Sequence, residues 1–468
     1  MTQQPLNRRT VITQELFPER VVQFGGGNFL RAFVDWMIDI MNEQADFGAG
    51  VVVVKPTAGG GYDELRAQDG LFHVRLRGVE GETTRLVTCV NRVVNPYMDF
   101  ADYLSLAEGS HLRFIVSNTT EAGIAFVASD RLSDAPPSSF PGKLTRFLFH
   151  RYQHFDGDST CGCIILPCEL IEQNGARLRE IVLQYADLWR LGEGFADWIE
   201  NANTFCNTLV DRIVSGFPGE DVFDEVGFAD RLLVDGETFH SWVIEGDIED
   251  EFPARDVGLN VKFVDDLAPD RNMKVRILNG AHIAMSIVGH LLGCETVADM
   301  MAHSAGAAFV TGLIDEEILP FVDMPPDERQ RFAADTLDRF RNPYLHHRLL
   351  SITLNALSKF RVRLMPTFDD FLQYRGEPPV RVVFTLAALI RFYKGEWRGA
   401  PIPLNDDPAL MERFAHWWAE DDLPAMVNKI LGDASLWGRD LSTHTQQVID
   451  YLIALESRPL EDVLRDLG

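Results

Sequence analysis

Pro18-Glu19-Arg20-Val21-Val22-Gln23-Phe24-Gly25-Gly26-Gly27-Asn28 opens the stretch that decides the fold. Its first seven residues read as a short buried strand, and three glycines follow at once. Phe29, Phe33, Trp36, Met37, Ile40 and Met41 then fall on one stripe of a helix. Gly48-Ala49-Gly50 ends that helix. Val51-Val52-Val53-Val54 is apolar at every position, as in a parallel strand covered on both faces. Strand, glycine turn, helix and strand in this order make a βαβ unit.

The glycine turn is where such a unit can hold a ligand. Glycines let the backbone approach closely, and the following helix start offers unpaired N–H groups and a positive dipole end, which suits a pyrophosphate. Phe24, Gly25, Gly26, Gly27, Asn28 and Phe29 are therefore candidate dinucleotide-binding residues. The spacing departs from G-x-G-x-x-G, because Leu30 stands where the third glycine is expected, and a glycine triplet also serves a plain tight turn. Lys55 follows the second strand, where many NAD-binding units carry an acid for the ribose hydroxyls; a lysine could receive a 2′-phosphate instead. On the residues alone NAD and NADP both stay open.

Outward from this unit, strands are expected at Leu86–Val90, Leu112–Val116, Ile164–Pro167 and Val261–Val264, with helix over 176–206. The second of these strands runs into the polar loop Ser117–Gly123, and ligands of open α/β sheets gather at such strand ends. Cys161, Cys163 and Cys168 match no common zinc spacing and read as strand-core residues, so no metal is expected. Asp211-Arg212 sets an acid beside a base in an apolar stretch, readable as a structural ion pair or as part of a site. After about residue 270 strand-like runs give way to amphipathic helical patterns with breaks at Pro325-Pro326, Pro378-Pro379 and Pro401-Ile402-Pro403. The expected fold is an α/β Rossmann-type dinucleotide-binding domain over 1–270 and a mostly α-helical C-terminal domain over 271–468 that carries substrate and catalytic groups.

The second domain would open on Lys274-Val275-Arg276-Ile277-Leu278-Asn279-Gly280-Ala281-His282. At about 100° per residue, Asn279 and His282 lie roughly 60° apart on a helix and Lys274 and His282 roughly 80° apart. Three polar heads can thus converge. A partly buried lysine can act as a base, and an amide with an imidazole can hold an oxygen on which charge develops. The same residues could equally be a solvated first-turn lysine, a helix-face amide and a core histidine. Residue choice favours chemistry: only 7 of the 43 basic residues are lysines, and arginine cannot serve as a base near neutral pH. Arg276, if it points towards Lys274, would lower the lysine's pKa. Arg341–Arg348 and Lys359–Arg363 are basic stretches that read as solvated faces or as a clamp for a carboxylate.

Composition narrows the function classes. The 468 residues suffice for two or three large cores. The formal net charge of −27 argues against nucleic acid and anionic membranes as partners, and requires that any anionic substrate meet a locally positive site. No uninterrupted apolar run reaches about 18 residues, and Met1–Arg9 has no apolar core of a signal peptide. Six cysteines in so long a chain do not suggest a disulfide framework. A cytoplasmic protein acting on a small molecule is expected, as a monomer or small homo-oligomer.

Lys274-x4-Asn279-x2-His282 resembles the signature of the polyol-specific long-chain dehydrogenases, the mannitol dehydrogenase family. Gly25–Phe33 resembles that family's coenzyme loop, and Leu209-Val210-Asp211-Arg212-Ile213 its V-D-R-I segment. Ser117–Ile124, Leu166–Ile171 and Phe340–Tyr344 bring the likeness closest to members that act on hexuronate-derived keto acids. The resemblance implies a Rossmann-type domain and a helical domain with the active site between them, NAD as coenzyme and no catalytic metal. It implies Lys274 as catalytic base, Asn279 and His282 on the reacting oxygen, Asn174, Asp211 and Lys359 near the substrate, and Glu121 in a proton relay. Fructuronate/mannonate and mannitol/fructose are alternative substrate pairs. A catalytically idle dinucleotide sensor is the alternative of another kind, and it would have no need of a proton-transfer group.

Overall fold

The computed structural model describes residues 3–11, 15–120 and 122–467. The chain divides into two compact units, 1–267 and 268–468.

The first unit is built on a six-stranded sheet. In spatial order its strands are Val90–Val94, Gly50–Val54, Glu19–Phe24, Phe114–Ser117, Ile164–Pro167 and Thr204–Phe205, and every neighbouring pair is parallel. The Glu19–Phe24 strand is central, with Val22 opposite both Val52 and Ile115. Side chains alternate between the two faces. Val21, Val51, Val53, Phe114 and Val116 join one core, while Val22, Phe24, Val52, Val54 and Ile115 join another. That double burial is why Val51–Val54 has no polar position, each buried valine contributing about 1.5 kcal/mol or more.

The expected Leu86–Val90 strand is two strands. Gly81–Val87 pairs antiparallel with Phe72–Gly78, and Val90–Val94 joins the main sheet, with Thr88 and Cys89 between them. Val261–Val264 lies in a separate three-stranded sheet beside Ser241–Glu245 and Asn207–Asp211. Cys163 and Cys168 are fully buried and free, one on each side of the Ile164–Pro167 strand.

The helix after the glycine turn is wound in three parts: Asn28–Leu30, a π-helical turn over Arg31–Asp35, and Trp36–Gln44. Phe33, Met37 and Met41 are buried as the stripe requires, with Phe29, Trp36 and Ile40 partly buried against the same core.

The second unit is helical apart from a two-residue hairpin, Glu396–Trp397 with Ala400–Pro401. Its spine runs from Ala268 to Leu292: α-helical to Lys274, π-helical over Val275–Asn279, and α-helical again over Gly280–Leu292. By length and composition this helix could cross a membrane, which the sequence reading missed because charged residues interrupt the apolar run. Its apolar window is 78% buried within the fold, so here it serves as a core helix. Ile277, Ala281, Ile283, Ala284, Met285, Ile287 and Val288 are wholly buried, beside the equally buried Val382–Ile390 run of the Val380–Phe392 helix. Proline starts the neighbouring helices: Pro326 is the first residue of Pro326–Phe340, and Pro379 immediately precedes Val380.

Candidate functional site

The glycine turn has the geometry of a backbone cradle. Phe24 is buried at the end of the central strand, and Gly25 takes φ +118°, a conformation that favours glycine. A Cβ on Gly25 would stand 3.1 Å from the Asn118 carbonyl oxygen, and one on Gly26 would stand 2.7 Å from the Tyr62 ring. Gly27 has open space around it and precedes the helix with no side-chain cap. The first N–H groups of that helix are therefore left for solvent or an anion. Asn28 is exposed, with its side-chain oxygen accepting from Arg31, and Phe29 stacks on Phe33 at 4.9 Å. These features fit a dinucleotide's pyrophosphate.

Tyr62 was not singled out by sequence. Its hydroxyl accepts the Gly26 N–H at 3.1 Å, fixing the turn from the side, and burial raises its pKa. Only the glycine run Gly59-Gly60-Gly61 before it hinted at a special loop. Lys55 donates its backbone N–H to the Val94 carbonyl, and its ammonium makes no ion pair among the described residues.

A second feature lies at the same strand ends. Glu169, 2% exposed, accepts from the Ser117 hydroxyl and from both the N–H and hydroxyl of Thr119, each at 2.9 Å. Burial still raises its pKa, against those hydrogen bonds. Sequence gave no reason to choose it, since a lone glutamate after Pro167-Cys168 has no spacing to recognise. Glu121 itself lies outside the described residues. Asn174 is buried at the start of the Asn174–Leu188 helix. Its amide donates to the Pro167, Glu169 and Thr208 carbonyls and its oxygen accepts the Thr208 N–H. The side chain thus straps together the ends of two strands. Asp211 closes the Asn207–Asp211 strand opposite Ser241 and is partly buried. Arg212 does not form the ion pair with Asp211 that adjacency allowed. Its guanidinium lies over Trp36 at 4.2 Å and donates to the Ala32, Thr238 and Phe239 carbonyls.

In the second unit the π turn changes the arithmetic of the signature. The Gly280 N–H reaches back to the Val275 carbonyl, an i→i+5 bond. Five residues then close a turn that an α-helix closes in 3.6. Lys274 and Asn279, five apart, would diverge on a regular α-helix; across this turn they are brought towards one line, and His282 follows three residues later. Lys274 and Asn279 are partly buried, and His282 is 8% exposed. The His282 ring packs against Phe340 at 4.6 Å and edge-on to His347 at 5.1 Å. Burial, and then Arg339, pulls the His347 pKa down. From sequence, Phe340 entered only as part of the Phe340–Tyr344 likeness and His347 only as a member of a basic stretch; neither was assigned a role.

Arg276 has partners of its own. It is 4% exposed, donates to the Asp370 carboxylate at 2.7 Å and to the Phe321 carbonyl at 2.9 Å, and reaches the Thr367 hydroxyl. Its charge is committed to the far side of the helix. Lys359, on the Ala356–Arg363 helix, donates its ammonium to the Ile352 carbonyl at 2.8 Å. Burial and then Arg363 lower its pKa, with Asp406 opposing. No group of three His, Cys, Asp or Glu side chains able to hold a metal occurs among the described residues.

Known proteins are similar to nearly the full length of the chain. The mannitol dehydrogenase Rossmann domain profile matches residues 19–257, and the mannitol dehydrogenase C-terminal domain profile matches 266–456. The chain is 46% identical over 473 residues to an altronate oxidoreductase of Yersinia pestis bv. Antiqua (strain Nepal516), covering 97% of this chain and 98% of that one. It is 46% identical over 450 residues to an altronate oxidoreductase of Bacillus subtilis (strain 168), covering 94% and 92%. Two solved structures share the fold. A substrate-free D-sorbitol dehydrogenase has TM-score 0.80 at 22% identity, covering 96% of this chain and 95% of that chain. Pseudomonas fluorescens mannitol 2-dehydrogenase, solved as a ternary complex with NAD and D-mannitol, has TM-score 0.72 at 21% identity, covering 99% of both. The chain belongs to the mannitol dehydrogenase family and is an oxidoreductase of the CH–OH class.

Proposed function

We propose that this protein interconverts D-tagaturonate and D-altronate with NAD(H), using Lys274 as the proton-transfer group. The observation that carries the chemistry is the π turn that brings Lys274 and Asn279 towards one line, with His282 one α-turn beyond. The substrate reading is supported by near-full-length likeness to proteins named altronate oxidoreductase.

The pyrophosphate lies over Gly25–Asn28, with Phe24 and Phe29 at its two ends, and is received on the N–H groups of Gly27 and Asn28, since those of Gly25 and Gly26 are held by the Val54 carbonyl and the Tyr62 hydroxyl. When bound, the reduced coenzyme supplies the hydride. Asn279 and His282 donate hydrogen bonds to the substrate's ketone oxygen and hold the charge that develops there. Lys274 Nζ gives its proton to that oxygen during reduction and takes it back during oxidation. Asp211 and Lys359 orient the sugar chain, Asn174 holds the strand ends on which that orientation depends, and Glu121 relays the proton to water.

Lys55 supports a second reading of the coenzyme alone, since an ammonium without an ion pair can receive a 2′-phosphate. The test is NADH consumption with tagaturonate, fructuronate and fructose in parallel, repeated with NADPH. Fast consumption with tagaturonate and NADH is expected. Turnover of fructuronate or fructose alone would replace the substrate, and preference for NADPH would replace the coenzyme.

A further inference from the structure

This protein carries 70 acidic residues against 43 basic ones. Buried cations of the first unit that lack a carboxylate, such as Arg151 and Arg212, spend their donors on several backbone carbonyls, so a partly buried guanidinium with neither an acid nor such a set stands out. Other buried arginines of the helical unit follow the usual rule: Arg276 is paired with Asp370, Arg381 with Glu316 and Glu317, and Arg391 with Glu396 and Glu456. Arg363 does not. Among the described residues its guanidinium makes one long hydrogen bond, 3.5 Å to the backbone carbonyl of Asn279, and no ion pair. Four of its five N–H donors are unspent.

Its position is as telling as its valence. Arg363 ends the Ala356–Arg363 helix, and Lys359 lies four residues earlier on the same face. Two like charges at this spacing destabilise a helix unless something negative lies between them. Among the described residues the Lys359 ammonium makes one hydrogen bond, to the Ile352 carbonyl, and Asp406 is the acid that opposes its lowered pKa without an ion pair. Burial lowers the pKa of Arg363, yet a guanidinium stays protonated. The end of this helix closes on the signature helix at Gly280, where a Cβ would stand 3.2 Å from Leu364 and 3.4 Å from the Arg363 carbonyl. The guanidinium is therefore held beside the residue proposed to bind the reacting oxygen.

We infer that Arg363, with Lys359 beside it, is the receptor for the substrate's carboxylate, and that it is the residue by which this chain selects keto-uronates over neutral ketoses. The inference rests on the function proposed above. A planar guanidinium can take a carboxylate through two parallel hydrogen bonds, which lysine cannot do. The pair also supplies the local positive field that an anionic substrate needs against a net charge of −27.

The test compares wild type with Arg363→Gln and Arg363→Lys on tagaturonate and fructuronate, with KM for NADH and the thermal midpoint measured for each. Loss of one partner of a desolvated charge pair costs binding on the order of 100-fold. Arg363→Gln should therefore raise KM for both keto-uronates roughly 100-fold while kcat, KM for NADH and the midpoint hold. Arg363→Lys should recover part of the loss by restoring charge without the fork. A KM within about twofold of wild type in Arg363→Gln would overturn the assignment while leaving the function standing. So would a fall in kcat alone, or a rise in KM for NADH equal to that for substrate. Wild-type enzyme that turned over neither keto-uronate would overturn the function and this inference together.

Discussion

The π turn at Arg31–Asp35 and the π turn at Val275–Asn279 are the same backbone device used for different ends. Each widens a helix by one residue in a turn, and each sits just after the start of a helix that carries a candidate ligand site. In the first, all five residues are buried, including Arg31 and Asp35. Its polar groups are poorly served: among the described residues the Asp35 Oδ1, Gln23 Oε1 and Arg31 Nε atoms have no hydrogen-bond partner, and Gln23 reaches Asp35 only at 3.3 Å. In the second, the one buried charge is fully committed to Asp370 and Phe321, and the flanking Lys274 and Asn279 remain partly exposed. A widened turn can thus bury strained polarity beneath a binding loop, or it can line up side chains for chemistry. What separates the two is whether the polar groups beside it are left accessible.

Three substitutions and one deletion press on that difference. The largest effect belongs to Lys274→Ala, which should lower kcat by about 10³-fold, within the usual span for a general acid–base group. Fluorescence titration should find NADH affinity unchanged; near-wild-type turnover would remove Lys274 from the chemistry. Next, deletion of Val275 should convert the second π turn to α-helix and swing Asn279 away from Lys274. Misplacement on the ångström scale costs on the order of 100-fold, so kcat/KM should fall by about that factor with a small change in thermal midpoint. If activity survived, the alignment would not depend on the wide turn.

The first turn should answer in stability rather than rate. Burial raises the Asp35 pKa to about 7 from an ordinary 3.8, against the Gln23 hydrogen bond and Arg31, which lower it. Between those values the folded state holds a proton that the unfolded chain has released. Stability is therefore greatest at the acid end of this window, falls as pH rises to about 7, and levels above it. Asp35→Asn should flatten that slope and gain about 2 kcal/mol at pH 8, less than the roughly 4 kcal/mol that the whole shift represents. Urea unfolding at several pH values would measure both, and an unchanged slope would place the titration elsewhere. Smallest of all, Gly280→Ala gains about 1 kcal/mol of helix propensity and presses a methyl on Leu364 and the Arg363 carbonyl. The two effects should cancel in stability to within about 1 kcal/mol, leaving a few-fold rise in substrate KM as the readout.

The βαβ unit was legible because its signals are local: an apolar run, three glycines, a stripe and another apolar run. The signature was legible as a set of residue types and not as a geometry. Angles taken at 100° per residue assume a regular helix, and nothing in Val275–Asn279 announces a wider turn. The pairing of Arg276 was out of reach for a similar reason, since its partner Asp370 is far away in sequence. The Leu86–Val90 run looked like one strand because Thr88 and Cys89 favour strands, and only the pairing of each half with a different sheet divides it. Tyr62 and Glu169 were hidden because each matters through tertiary contacts, to Gly26 and to Ser117 and Thr119. Arg363 lay in a stretch already readable as a carboxylate clamp; what the sequence could not show was its contact with Asn279.

The signature helix is both the element proposed to do the chemistry and the spine of its unit, with Ile277, Ala281, Ile283 and Ile287 wholly enclosed on either side of Asn279 and His282. Laboratory evolution on this helix would therefore trade away folding before it reached new chemistry. The Ala356–Arg363 helix is a freer substrate for selection: Ser358, Arg361 and Val362 are exposed, and Lys359 and Arg363 are only partly buried. A library confined to that helix separates substrate choice from fold maintenance, so a change of preferred sugar is within reach of few mutations while the proton-transfer apparatus is inherited intact.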